Sequence, residues 1–202
     1  YYYDSNGFLT ENISFCGCPE GFSKLETKCF SPYEYIPKNI SFNYFLNGDK
    51  VLNLTLYERV YNYTSSIPRE MVTIKNETFS KEDFSLKMIN NEVQGFSLMT
   101  LVKEIEGLTK NRNDQLRIAV SLVQNIPYGF KGDLVSAGRL KFPKTKYPYE
   151  VLYTNSGVCE EKSNLLAFLL KHLGFSVIIF YFPEANHQAV GVECPVEHSF
   201  NG

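Results

Sequence analysis

Residues 147–175 read Tyr147-Pro-Tyr-Glu-Val-Leu-Tyr-Thr-Asn-Ser-Gly-Val-Cys-Glu-Glu-Lys-Ser-Asn-Leu-Leu-Ala-Phe-Leu-Leu-Lys-His-Leu-Gly-Phe175. The later part of this stretch predicts a helix from about Val158 to Leu173, closed by Gly174 as a C-cap. The run Phe175 to Phe182 is short, continuous, and rich in β-branched and aromatic residues, which predicts a buried strand. A short loop, Pro183 to Asn186, leads to His187, and another strand is expected from Gln188 to Glu193. A helix followed by two strands in this order sets a mixed α+β core.

The same stretch carries the candidate chemistry. Gly157-Val158-Cys159 opens the helix, and a cysteine is a nucleophile only as its thiolate. At a helix N-terminus the backbone amides and the macrodipole favour that negative charge. An imidazole returning from the neighbouring strand, His187, takes the thiol proton and forms a thiolate–imidazolium pair. The amide of Cys159 is then aimed where an oxyanion forms during acyl transfer. Against this stands a plainer account. A cysteine beside an apolar helix is more often a small buried residue, and a strand-edge histidine is more often simply hydrogen-bonded. The catalytic reading rests on the two residues together and on the odd cysteine count.

In sequence, the stretch resembles the nucleophile segment of transglutaminase-like domains. These often read Pro-x-Glu-x-Leu, a gap, Gly-x-Cys-Glu-Asp-Lys-Ser, an apolar helix and Leu-Gly-Tyr/Phe. The later His187-Gln-Ala-Val-Gly-Val resembles the family's histidine strand. The resemblance covers about residues 95–194 and is nearest to archaeal and bacterial cell-surface members. It implies a papain-like α+β fold, a Cys-His-Asp type triad, and acyl transfer from amides: peptide hydrolysis, cross-linking or deamidation. By this match Cys159 is the nucleophile, and His187 is general base and then acid to the leaving amine. Glu161 stands where Asp is common, and Glu160 and Glu161 read as helix-start charges rather than catalysts. Ala189 stands where the family often has a bulky aromatic. The family's acid lies on the strand after the histidine strand. Glu197 and Asn201 are the nearby polar residues, and the motif places neither, so the third triad member is unassigned.

Upstream, Leu98, Leu101, Val102, Ile105 and Leu108 recur at helical spacing. Asn113 is positioned to cap a second helix, with Leu116, Ala119, Val120 and Val123 on its buried side and its end near Pro127. Residues 127–150, punctuated by Pro127, Gly129, Gly132, Gly138, Pro143 and Pro148, read as a long connection of the kind that often lines a site. Its Lys131, Arg139, Lys141, Lys144 and Lys146 outnumber Asp133, which fits a solvated loop better than a surface steering an acidic partner. Earlier still, Ile40, Phe42, Tyr44 and Leu46 alternate with Ser41, Asn43 and Phe45. Asn47-Gly48-Asp49 makes a hairpin turn, and the return strand separates Leu52, Leu54 and Leu56 from Asn53, Thr55 and Tyr57. Residues 71–88 are expected to add one or two strands.

The chain has 202 residues and a mass of 23.2 kDa, with 44% hydrophobic and 21% charged residues. These proportions exclude a disordered or collagen-like chain. A net charge of −2 and a pI near 6.0 argue against nucleic-acid binding. No apolar run approaches the roughly 18 to 20 residues that span a bilayer. The chain opens at Tyr1 and its first Met is Met71, so a signal peptide or membrane anchor is expected upstream, and the chain is expected to continue past Gly202.

Five Asn-x-Ser/Thr sequons, at Asn12, Asn39, Asn53, Asn62 and Asn76, all fall in the first 76 residues. With 17 Asn, chance gives about two, spread along the chain. The excess favours a glycosylated, extracytoplasmic surface. Cys16, Cys18 and Cys29 lie in a Gly/Pro-rich stretch too short to bury a core, so cross-links are expected to hold it. Two disulfides among Cys16, Cys18, Cys29 and Cys194 leave Cys159 as a thiol, with three connectivities open. A zinc site in the Cys-x-Cys…Cys group lacks a fourth ligand nearby.

The expected architecture is therefore α+β. A papain/transglutaminase-like core of helices packed on an antiparallel sheet spans 93–202 and is cut short at its C-terminal end. A β-rich region over 38–92 precedes it, and a disulfide-linked cap over 1–37 precedes that. Two functions compete. One is an extracytoplasmic thiol enzyme acting on peptide or amide bonds, hydrolytic rather than cross-linking, that needs no metal or organic cofactor. The other is a non-catalytic glycosylated cell-surface protein that uses the same fold to bind other cell-envelope proteins.

Overall fold

The computed structural model describes residues 2–3, 9–10, 23–25, 28–30, 36–69, 81–129, 134–137, 140–182, 184–185 and 187–193. Asn12, Cys16, Cys18, Asn76, Cys194, Glu197 and Asn201 lie outside these residues. Cys29 falls in a short strand, β4 (Lys28–Phe30), which pairs with β3 (Ser23–Leu25); β1 (Tyr2–Tyr3) pairs with β2 (Leu9–Thr10).

The first long element follows from period-two patterning. Strands β5 (Pro37–Phe45) and β6 (Asp49–Tyr57) form an antiparallel hairpin with Phe45 opposite Asp49. Asn47 and Gly48 turn the chain with φ of 54° and 127°, a conformation that Asn and Gly adopt with least strain. Phe42, Tyr44, Leu52, Leu54 and Leu56 face the core, while Ser41, Asn43, Asn53 and Thr55 are exposed. The alternation is therefore as the sequence predicts.

Beyond Tyr57 the regular elements described in the 38–92 region are helices. Helix α1 (Glu58–Ser66) follows β6 directly, and Lys81–Ile89, which overlaps the later part of the segment expected to add strands, is helix α2; residues 71–80 of that segment lie outside the described residues. The apolar positions Met88 and Ile89 are buried beside each other at the end of α2, a spacing that serves a helix end against the core as well as a strand. Helix α3 (Glu92–Leu108) begins at the Asn91 cap, whose side chain accepts from the Gln94 amide. Helix α4 (Arg112–Asn125) is capped by Asn111 rather than Asn113. Asn111 Oδ1 accepts from Asn113 N at 2.9 Å and Asp114 N at 3.3 Å. The buried stripe of α4 is Gln115, Ile118, Ala119, Leu122 and Val123, with Leu116 and Val120 only half-buried.

The described residues of 127–150 include regular elements and not only a connection. They contain a two-stranded ladder, β7 (Leu134–Ala137) with β8 (Leu140–Pro143). They also contain the first turn of helix α5 (Pro148–Thr154), which opens with Pro at a position where its missing N–H goes unused. Helix α6 (Cys159–His172) runs through the middle of the molecule and ends before Gly174, whose φ is 79°. Strands β9 (Val177–Phe182) and β10 (His187–Val192) close the described chain as a second antiparallel hairpin. The stretch expected to be a buried strand is covered on one face only. Val177 and Ile179 pack on the core, while Ile178, Phe180 and Phe182 are exposed.

One hydrophobic cluster joins these parts. The inner face of β5–β6, Val60 of α1 and the buried stripes of α3, α4, α5 and α6 belong to it, and β9–β10 packs against its rim. Polar contacts tie the first hairpin to the later helices. Phe45 N donates to Ser121 Oγ at 3.0 Å, and Tyr57 N to the Tyr149 hydroxyl at 2.5 Å. A buried cluster around Arg69 ties the end of α1 to the segment that enters α5. The Arg69 guanidinium donates to Thr64 O, Ile67 O, Thr145 O and Glu150 Oε2 and lies 4.4 Å over the Tyr147 ring. The protein is mixed α+β, and each sheet among the described residues is a two-stranded antiparallel pair.

Candidate functional site

The site is built around the first turn of α6. Val158, the residue before the helix, is extended, and its carbonyl accepts from Lys162 N at 2.9 Å, so Cys159 is the first helical residue. Cys159 carries its thiol as a reduced group and is half-buried. The first turn of any helix presents amides that no carbonyl of that helix accepts, so the sulfur sits at the positive end of the macrodipole.

Glu161, two residues on, is buried. Its Oε2 accepts from Val158 N at 3.0 Å and its Oε1 from Lys146 N at 2.8 Å. Burial raises its carboxyl above the ordinary range, and the two backbone donors pull against that shift. Both oxygens accept from backbone amides, so Glu161 braces the helix start. This agrees with reading it as a helix-start charge.

The segment entering the helix is locked from behind. Gly157 N donates to Pro127 O at 3.2 Å, Gly129 N to Gly157 O at 3.4 Å, and Ser156 Oγ to Gly129 O at 2.7 Å. Lys146, expected in a solvated loop, is buried and donates to Ser156 O at 2.9 Å. Lys144 likewise donates to Ser65 O. These two lysines hold carbonyls in place, so they are not part of an open basic surface. A side chain at Gly157 would bring a Cβ to 3.1 Å from Val151 Cγ1 and 3.2 Å from Lys162 Cγ, so a larger residue would require those side chains to give way by a few tenths of an ångström. Lys162 in turn donates to Gln124 O and Ile126 O at the end of α4, and partial burial lowers its pKa.

The histidine strand meets α6 through a different residue. Ser163 Oγ, one turn beyond Cys159, donates to Gln188 O at 3.1 Å, and Gln188 Nε2 donates to Asn164 Oδ1 at 3.0 Å. Gln188 and Asn164 are both buried, and Asn164 Nδ2 has no hydrogen-bond partner among the described residues. Successive strand residues face opposite sides. With Gln188, Val190 and Val192 toward the core, His187 lies on the outer face with Phe180, Phe182 and Gly191. It is exposed, and its ring stands against the ring of its cross-strand partner Phe182, with centroids 6.3 Å apart and planes at 27°. Cys159 thus lies at the amide end of α6, and His187 lies on the face of β10 opposite to Gln188. The parity of Val190 and Val192 carried this signal in the sequence.

Other predicted site residues fall as follows. Asn39, Asn53 and Asn62 are exposed. Among the described residues no three His, Cys, Asp or Glu side chains gather as metal ligands, and no helix is long and apolar enough to cross a membrane. A cavity of about 730 Å³ opens between α2, α6 and β9–β10, lined by Leu86, Ile89, Lys171, Ile179 and Gln188 among others. Neither Cys159 nor His187 lines it. The residues sequence reasoning passed over are Arg69, Gln188 and Asn164.

Fold and site together define a mixed α+β protein with a thiol at the braced amide end of a buried helix. Comparison with protein-family models, with curated proteins and with solved structures finds no match to this chain.

Proposed function

We propose that this chain is a non-catalytic, extracytoplasmic module on a transglutaminase-like frame that binds or assembles with other cell-envelope proteins. The observation that carries this reading is the seating of Gln188 against α6, which leaves His187 on the outer face beside Phe182. A Cys–His pair needs its base within hydrogen-bond reach of the sulfur, and the ring of His187 stacks instead on Phe182 on the face of β10 opposite to Gln188. The five sequons within the first 76 residues and the Gly/Pro-rich cysteine segment support the extracytoplasmic placement.

A thiol probe tests this. Iodoacetamide is applied near neutral pH to the folded protein, to its His187→Ala variant and to the unfolded chain. The expected result is a Cys159 rate no faster in the folded protein than in the unfolded chain, and unaffected by His187→Ala. Faster alkylation when folded that is lost in His187→Ala would overturn the proposal.

A second reading keeps the thiol enzyme, and one observation favours it: Cys159 is a half-buried thiol at the first position of α6, on a segment braced by Glu161 and Lys146. In that reading His187 turns inward when a peptide or amide substrate binds, takes the thiol proton and returns it to the leaving amine. Formation of a thioester with an activated acyl substrate distinguishes it from the first.

A further inference from the structure

The two sequons of the first hairpin are interlocked. The register sets Asn39 opposite Thr55 and Ser41 opposite Asn53, so each sequon's asparagine faces the other's hydroxyl residue. Ser41 Oγ donates to Asn53 Oδ1 at 2.7 Å, and Thr55 Oγ1 donates to Asn39 Oδ1 at 3.0 Å. All four residues are exposed on the outer face, and the two asparagines sit on a diagonal about 7 to 8 Å apart. From this pairing we infer that the outer face of β5–β6 is a double glycan carrier, loaded in the open chain and closed to the transferase once the hairpin forms.

The chemistry follows from which amide atom is engaged. N-glycosylation joins the asparagine nitrogen, Nδ2, to the anomeric carbon of a pyrophosphate-linked oligosaccharide. An N–C bond forms, the C–O bond to the pyrophosphate breaks, and Nδ2 gives up one proton. Oδ1 keeps its lone pairs throughout and goes on accepting from the cross-strand hydroxyl. A sugar on either asparagine therefore leaves both clamps intact and stands off the solvent face. The same clamps explain the order of events. A transferase reads the sequon's hydroxyl together with its asparagine, and in the closed hairpin each hydroxyl is held by the opposite strand. Asn62 is closed in another way: the Thr64 hydroxyl of its sequon is buried and donates to Val60 O and Tyr61 O, each at 3.0 Å.

This inference rests on the extracytoplasmic part of the proposed function and is independent of whether Cys159 is catalytic. The test uses the full chain with a flexible Asn-x-Thr tag added at its C-terminus, in two preparations. One is secreted from a glycosylating eukaryotic host. The other is made without glycans in a bacterial cytoplasm, folded, and then incubated with purified oligosaccharyltransferase and its pyrophosphate-linked donor. Glycopeptide mass spectrometry reads each site. The expected result is glycan at Asn39, Asn53 and the tag in the secreted protein, and at the tag but at neither hairpin site in the folded one. Glycan added to Asn39 or Asn53 of the folded chain as readily as to the tag would overturn the inference, as would a secreted protein with a loaded tag and both hairpin sites bare. Protein from its natural cells with no glycan anywhere would defeat the extracytoplasmic reading and this inference with it, a failure that the two preparations tell apart from a failure of the hairpin geometry.

Discussion

Ser163 Oγ donates to the Gln188 carbonyl at 3.1 Å, and that bond joins the stripe of α6 headed by Cys159 to the strand that begins at His187. With Gln188 Nε2 on Asn164 Oδ1, it selects the register in which the valines of β10 face inward. A slip of one residue would exchange the two faces, bringing His187 in and sending Val190 and Val192 out. The buried apolar surface of those valines opposes the slip.

Removing Gln188 tests this seat. Gln188→Ala leaves the buried Asn164 Oδ1 unsatisfied and is expected to destabilise the fold by about 1–3 kcal/mol in urea unfolding. Among the described residues Asn164 Nδ2 already lacks a hydrogen-bond partner. Replacing both residues by apolar ones, Asn164→Leu with Gln188→Leu, is therefore expected to be less harmful than Gln188→Ala alone.

The Arg69–Glu150 pair is more exacting. Their side chains are 6% and 5% exposed, and the guanidinium also serves three carbonyls. Arg69→Met strands a buried carboxylate and is expected to destabilise by about 3–5 kcal/mol. Burial already raises the Glu150 pKa, with Arg69 pulling it back. Adding Glu150→Gln to Arg69→Met is thus expected to restore part of the loss, measured by the same unfolding curves.

Glu161 supports the helix start from both oxygens. Glu161→Ala is expected to cost about 1–3 kcal/mol, because the Val158 and Lys146 amides lose their acceptor where water has little access. Glu161→Gln keeps one acceptor oxygen and is expected to lose less. Amide hydrogen exchange at Val158 and Lys146 should speed up in Glu161→Ala before exchange in the middle of α6 does.

Acid stability carries a signature of His172. Burial, with Lys171 adding to it, holds this imidazole below its ordinary value of 6.5, and its ring packs on Phe168 at 4.3 Å. A depressed histidine is neutral when folded and binds its proton more readily when unfolded. Its contribution is present above pH 6.5 and is lost as pH falls through the folded value. Glu150 and Glu161, raised by burial above 4.5, act in the opposite sense: the folded state binds their protons more readily, so stability falls as pH rises from 4.5 through their folded values. His172→Phe is expected to lose less stability than the wild type on acidification below pH 6.5, read from urea midpoints across the range. Equal losses would remove His172 as the cause.

The elements that could be read from the chain are those set by local rules. Leu52, Leu54 and Leu56 at period two, the turn at Asn47-Gly48, the Gly174 stop and the helical spacing from Leu98 to Ile105 each act within a few residues. Helices α1 and α2 were harder to read because their short apolar patterns fit either period. The cap of α4 moved from Asn113 to Asn111 because both asparagines offer the same side chain, and only the start of the helix distinguishes them.

What the sequence determined by itself is a mixed α+β chain, a hairpin with its apolar face inward, and a cysteine at the head of a helix. Only the tertiary structure decided that Gln188 and not His187 meets that helix, that Lys146 is an internal brace, and that Arg69 finds Glu150 across 81 positions. The physical reason is that a side chain's chemistry is the same on either face of a strand and at either end of a loop. Burial of distant apolar partners chooses between those placements, and that choice is made when the parts come together.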